Sequence, residues 1–261
     1  PYASITGHSK TLFNFSKTVG GNEAEDDLKN LNFKFFASSK FLSALINIAW
    51  CIVGTPEYQV IFSDLAKISF TNRIIVSDVG SIKVDIFKQA LKILPKDYDF
   101  VGGHPIAGTE KIGFKNLVTD LFKDKPIFIS GIRAKKDSVK LIKEIWNGLG
   151  GQVYLVSPEQ HDKIFAHLSH LPHVLAFGLK NISNKSLTRQ EISKYGGTSY
   201  KDYSRISMSS EQLWSEIFLS NRRNLAKGIK NFRRYLDKVA VSYTHLRAHE
   251  TLRYLVCRVL L

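Results

Sequence analysis

Between residues 49 and 156 the chain alternates two kinds of apolar pattern. Short runs dense in apolar and β-branched residues (49–53, 74–76, 98–101, 126–130 and 152–156) have the length and bounding turns of buried strands. Among them lie stretches with apolar residues at helical spacing. These are residues 58–68, through Val60, Ile61, Leu65 and Ile68, then 84–94, then 137–149, which Gly150-Gly151 closes. Strand alternating with helix predicts an open parallel sheet with helices on both faces, and such sheets bind ligands at the carboxyl ends of their strands. The turns Gly54-Thr55-Pro56, 78–83 and 102–110 all read as strand-to-helix connections and so share that edge. Ahead of this region, residues 2–6 read as a short strand, 11–19 as a helix and 23–31 as a short polar helix, while 34–45 have no regular period.

Past Ser157-Pro158 the strand pattern stops. Residues 159–181 carry one long helical pattern that includes His161, His167, His170 and His173. Gly196-Gly197 then leads a loop into a short helix through Arg205, and 212–238 form a further amphipathic helix. The fold class predicted is therefore α/β: an incomplete parallel-sheet domain over 1–157, followed by an all-α domain over 158–239. Residues 240–261 break the helix pattern before them and are similar to translated adapter read-through at the end of an open reading frame. The alternative for that tail is a genuine C-terminal helix.

Composition narrows the classes. With 261 residues, 44% of them hydrophobic, the chain can bury two modest cores. Two cysteines, Cys51 and Cys257, are too few for a disulfide framework, and Cys51 lies in an apolar run. No secretory signal and no apolar run of membrane-spanning length is present, so the reading is a cytoplasmic protein without a membrane partner. The formal net charge of +14 is spread over helical surfaces, as at Lys135-Lys136, Arg222-Arg223 and Arg233-Arg234, with no nucleic-acid module around it. That favours a solvated surface with a few cations kept for an anionic small molecule. The four histidines of 159–181 lack the cysteine or carboxylate cluster that would complete a metal sphere.

The most distinctive stretch is Val101-Gly102-Gly103-His104-Pro105-Ile106-Ala107-Gly108-Thr109-Glu110. Its glycines leave the backbone open to close approach, while Pro105 fixes its own φ and pushes His104 out of the helical region. A histidine aimed in this way suits a general base near neutral pH. The plainer alternative is a turn whose histidine is hydrogen-bonded to backbone.

Five motifs in order resemble the prephenate/arogenate dehydrogenase family of tyrosine biosynthesis. They are Ser77-Asp78-Val79-Gly80-Ser81-Ile82-Lys83, the stretch just described, Ser169-His170-Leu171-Pro172-His173, Tyr200-Lys201-Asp202-Tyr203-Ser204-Arg205-Ile206 and Leu213-Trp214-Ser215-Glu216-Ile217. The resemblance implies a dinucleotide-binding domain followed by a helical domain that forms a homodimer. It implies oxidative decarboxylation of a cyclohexadienol dianion or its amino-acid counterpart, with hydride passing to NAD or NADP. His104 would accept the proton of the ring hydroxyl, and Ser81 would orient the imidazole. Arg205 would take a carboxylate in its planar fork, where a surface salt bridge is the alternative. His173 and Thr109 would line the pocket, Lys201 and Asp202 would close it or orient Arg205, and Glu110 would guard the entrance. His170 is as compatible with a core histidine, Asp202 with a helix cap, and Glu110 with a helix dipole. The cofactor is implied to contact Ser9, Lys10, Thr55, Pro56, Asp78 and Gly80.

One family feature is missing. No Gly-x-Gly-x-x-Gly turn lies between a first strand and helix, and Gly20-Gly21 follows no strand. If residues 2–6 are the second strand, the first strand and its turn precede Pro1, and the chain lacks much of its cofactor site. The end of that second strand, Gly7-His8-Ser9-Lys10, carries no carboxylate for ribose hydroxyls, and Ser9 with Lys10 leans to NADP. The rival reading is a non-catalytic dimeric ligand-binding or regulatory protein of the same fold.

Overall fold

The computed structural model describes residues 48–51, 58–67, 73–107 and 120–244. The elements predicted over 2–45 and the turn Gly54-Thr55-Pro56 lie outside these residues. Five strands form one sheet in the order β1-β2-β3-β4-β5: β1 Ile48–Cys51, β2 Ile75–Asp78, β3 Asp99–Pro105, β4 Pro126–Ser130 and β5 Gln152–Leu155. Helix α1 (Tyr58–Leu65) joins β1 to β2, α2 (Val84–Ile93) joins β2 to β3, and α3 (Lys136–Gly148) joins β4 to β5.

Alternation along the strands explains why helices cover both faces. In β2 and β3, Val76 and Phe100 point to one side, where they pack with Tyr58 and Phe62 of α1 and Ile86 and Phe87 of α2. Their neighbours Ile75 and Val101 point to the other, against Ile127, Ile129 and the α3 residues Ile142, Ile145 and Trp146. Buried Asp99 pins the start of β3 to α3. It accepts from Arg73, from Ser138 Oγ at 2.6 Å and from the Lys135 amide at 3.1 Å. Burial pushes this carboxyl up, but those donors outweigh it and hold it below its ordinary value.

Two expectations are corrected here. β1, β2 and β3 run parallel, as do β4 and β5, but β3 and β4 are antiparallel, with Gly102 opposite Ser130 and Pro105 opposite Ile127. A strand buried on both faces carries an apolar run whichever way it points, so the pattern does not report direction. The second concerns 102–105, expected in a strand-to-helix turn. These residues are strand, because β3 continues past its parallel pairing with β2 into the antiparallel ladder with β4.

Contacts divide the chain into two compact units, one through Asp162 together with Glu211–Ser220, the other Lys163–Ser210 with everything from Asn221 onward. The division falls inside α4 (Pro158–Phe165). The predicted long helix is interrupted by a π-helical turn, Ala166–His170, before α5 (Leu171–Ser186). Pro172 accounts for the widened turn, since it offers no N–H to the carbonyl four residues back and its ring crowds that carbonyl. Helices α6 (Arg189–Tyr195) and α7 (Thr198–Ile206) follow, and α7 packs on α5. The helix predicted over 212–238 is two, α8 (Glu211–Ser220) and α9 (Arg222–Thr244), parted at Asn221. The side chain of Asn221 is buried and bonded to His170 and Asn224, which draws it out of a regular helix. Helix α9 passes unbroken through Ala240 to Thr244, beyond the break predicted at that residue.

Candidate active site

Strand β2 ends at Asp78, whose side chain is 0% exposed. Its Oδ2 accepts from Lys83 Nζ at 2.5 Å, the Gly80 amide at 2.8 Å and Tyr58 Oη at 3.3 Å, and its Oδ1 accepts from the Gly103 amide at 3.0 Å. Lys83 is equally buried. Burial draws its ammonium below the ordinary lysine range, against the pull of the Asp78 charge. Asp78 and Gly80 are the two described residues expected against a cofactor. The carboxylate and the Gly80 amide are both engaged inside the protein, and a Cβ on Gly80 would meet Ile86, Tyr58 and Asp78 at 2.8–3.0 Å.

The two glycines of β3 likewise answer to the protein's own packing. A Cβ on Gly102 would sit 2.6 Å from the Phe87 ring, and one on Gly103 would sit 2.6 Å from the Asp78 carbonyl oxygen. Close approach thus serves the junction of β2, β3 and α2, and it carries His104 out on a paired strand instead of a loop.

His104 is half-buried, and its Nδ1 lies 2.8 Å from His161 Nε2. The rings meet edge to face, with centroids 5.0 Å apart. His161 Nδ1 in turn lies 2.8 Å from Asp162 Oδ1. That carboxylate also accepts the amides of Lys83 at 2.8 Å and Val84 at 2.9 Å, which are the open donors of the first turn of α2. His161 is fully buried, and burial lowers its pKa more than its bond to Asp162 raises it. A chain of four contacts therefore runs from the His104 ring to the base of α2, all within the first unit.

The remaining predicted residues sit as follows. Ser81 is half-buried in the turn between β2 and α2, and His104 Nδ1 lies against His161. In the second unit, Lys201 and Arg205 line a cavity of about 340 Å³ on α6 and α7, together with Tyr200, Ser204, Ile192 and Met208. Exposed Asp202 on α7 is not among its lining. His173 is half-buried on α5 and donates from Nδ1 to the Ser169 carbonyl at 2.9 Å; burial lowers its pKa. His170 is a buried histidine bonded to Asn221. Thr109, Glu110, Ser9, Lys10, Thr55 and Pro56 lie outside the described residues. Among those residues no cluster of three or more His, Cys, Asp or Glu could hold a metal ion.

Sequence reasoning missed Lys83, His161 and Asp162 as members of the His104 site. The adjacent His161-Asp162 pair was the available signal, since a carboxylate next to an imidazole sets its tautomer.

Two family models match the chain: "Prephenate dehydrogenase, nucleotide-binding domain" over residues 15–155 and "Prephenate dehydrogenase, dimerization domain" over 157–255. The prephenate dehydrogenase of Bacillus subtilis is 29% identical over 83% of this chain and 60% of its own length. The cyclohexadienyl dehydrogenase of Zymomonas mobilis is 32% identical over 64% and 57%. A crystal structure of prephenate dehydrogenase from Aquifex aeolicus, in complex with hydroxyphenyl propionate and NAD+, superposes with a TM-score of 0.75 at 28% identity, covering 95% of this chain and 92% of that one. The chain thus spans about 60% of the length of the curated relatives it matches.

Proposed function

The chain belongs to the prephenate dehydrogenase family, and from that premise we propose that it oxidatively decarboxylates prephenate or arogenate with a nicotinamide dinucleotide as hydride acceptor. The observation that carries this reading is His104, held half-buried at the end of β3 with His161 and Asp162 behind it.

Three parallel strands bring their carboxyl ends to one edge, which is where dinucleotide cofactors bind. Asp78 and Gly80, bonded inside the protein at that edge, remain candidates for cofactor contact together with Ser9, Lys10, Thr55 and Pro56. The last two stand just ahead of α1, whose N-terminus favours a pyrophosphate. When bound, the nicotinamide supplies the acceptor for hydride from the carbinol carbon. Ser9 and Lys10, without a carboxylate nearby, favour NADP, whereas the Aquifex relative was solved with NAD+.

The chain's own residues handle protons and charge. His104 takes the proton of the ring hydroxyl as the carbinol carbon is oxidised. The bond to the ring carboxylate then breaks, carbon dioxide leaves, and the electron pair enters the ring and ends on the same oxygen. That oxygen recovers the proton from His104, so the ring leaves as a phenol and the imidazole is restored. Arg205 offers two parallel donors to a carboxylate, with the Lys201 charge beside it in the same cavity. Ser81, His173, Thr109, Asp202 and Glu110 remain candidates for substrate contacts. The dimerisation-domain match over 157–255 supports a homodimer.

The test is dinucleotide reduction with prephenate and with arogenate, each with NAD and NADP. One productive pair is expected, with His104→Asn lowering kcat by about 10²–10⁴-fold and leaving dinucleotide affinity unchanged. A folded protein silent with all four pairs would overturn the enzyme reading in favour of ligand binding.

A further inference from the structure

We propose that His161 and Asp162 are positioning residues that hold His104 in the one tautomer able to act as a base. The proposal rests on the reading of His104 given above, and it follows from donor and acceptor counting along the chain of contacts. An ionised carboxylate only accepts, so Asp162 Oδ1 at 2.8 Å obliges His161 Nδ1 to carry a hydrogen. Burial keeps His161 neutral, so its Nε2 holds a lone pair. That lone pair lies 2.8 Å from His104 Nδ1, which must therefore donate. The neutral His104 ring is left with its own lone pair on Nε2, the nitrogen that can take a proton. The opposite tautomer would set two lone pairs against each other across 2.8 Å.

The carboxylate is itself immobilised. Both oxygens of Asp162 accept backbone amides, those of Lys83 and Val84, so it cannot turn away from His161. The ammonium of Lys83 is bonded to Asp78, and the Asp162 carboxylate stands directly behind the His161 ring. It stabilises the positive charge that His104 takes up, as a carboxylate behind an imidazole does in hydrolytic triads. Phe128 lies edge-on to His161, with centroids 6.2 Å apart, and closes that side of the ring.

The decisive measurement is the ring-nitrogen spectrum of protein carrying ¹⁵N-histidine, with the His104 signals assigned by their loss in His104→Asn. Wild type should show His104 protonated on Nδ1. Asp162→Leu removes the acceptor that fixes the hydrogen on His161 Nδ1, so His161 can donate from Nε2 to His104 and the proton moves to His104 Nε2. In the same variant kcat should fall at least about 100-fold, with KM changed by no more than about threefold. His161→Phe, which keeps a ring and removes the acceptor, should lose a similar factor, and His161→Gln should recover part of it. An Nε2-protonated His104 in wild type overturns the proposal even if Asp162→Leu does not fold, and so does an Asp162→Leu protein with unaltered tautomer and kcat. Absence of turnover in a wild type showing the expected tautomer would sink the activity and leave the positioning role standing.

Discussion

Lys83 and Asp78 are a buried ion pair, 0% exposed on both sides, and such pairs are costly to break from one side only. Lys83→Met should lower the unfolding free energy by about 3–5 kcal/mol, because it strands the Asp78 charge. Adding Asp78→Asn should return part of that loss, since an amide oxygen still accepts from Gly103 while the charge is gone. Urea titrations of the two single variants and the double variant measure the coupling. Gly103→Ala tests the close approach of β3. Its methyl would lie 2.6 Å from a backbone oxygen that cannot rotate aside, and overpacking of that kind should cost about 1–3 kcal/mol. At this scale the sequence singles out His104 as a candidate, because its glycine and proline neighbours mark a constrained backbone. It did not disclose the partners. Lys83 and Asp162 are 79 positions apart and His104 and His161 are 57 apart, and no local pattern encodes such a meeting.

The strands and helices of the first unit were legible because each buries a face and so repeats with a period. Where the reading failed, the period was silent. An apolar run does not say whether β4 runs with or against β3, and a helical period does not register the extra residue of a π turn ahead of Pro172. Helix α6 has no buried residue and therefore no apolar stripe to find. What marks it is its start, where Thr188 Oγ1 accepts the Glu191 amide at 3.3 Å and Glu191 Oε2 accepts the Thr188 amide at 2.8 Å. These bonds also lower the pKa of the Glu191 carboxyl. Thr188→Ala should cost about 1 kcal/mol of stability, visible as a lowered Tm.

Across the whole chain, both units hold a histidine whose pKa burial depresses, His161 in the first and His173 in the second. In the unfolded chain these rings protonate near their ordinary 6.5, and in the folded protein only at lower pH. Between the two values the unfolded state binds more protons, so stability is full above 6.5 and falls as the solution is acidified. Urea midpoints measured from pH 7.5 down to pH 5.5 should decline for the wild type, and His173→Gln should flatten the decline. The two-part organisation was readable from the end of strand patterning near Ser157, whereas the inclusion of Glu211–Ser220 with the first unit was not, because nothing in that helix names its neighbours.

The carboxylate that secures the His104 ring is also the cap of a helix, and caps are where helices begin to fray. Warming that loosens the first turn of α2 would free Asp162 and release the base before the sheet opens. Heat inactivation would then report a local opening and not global unfolding. Deuterium uptake at the Lys83 and Val84 amides should climb at the temperatures where turnover fails, while β3 and β4 are still protected.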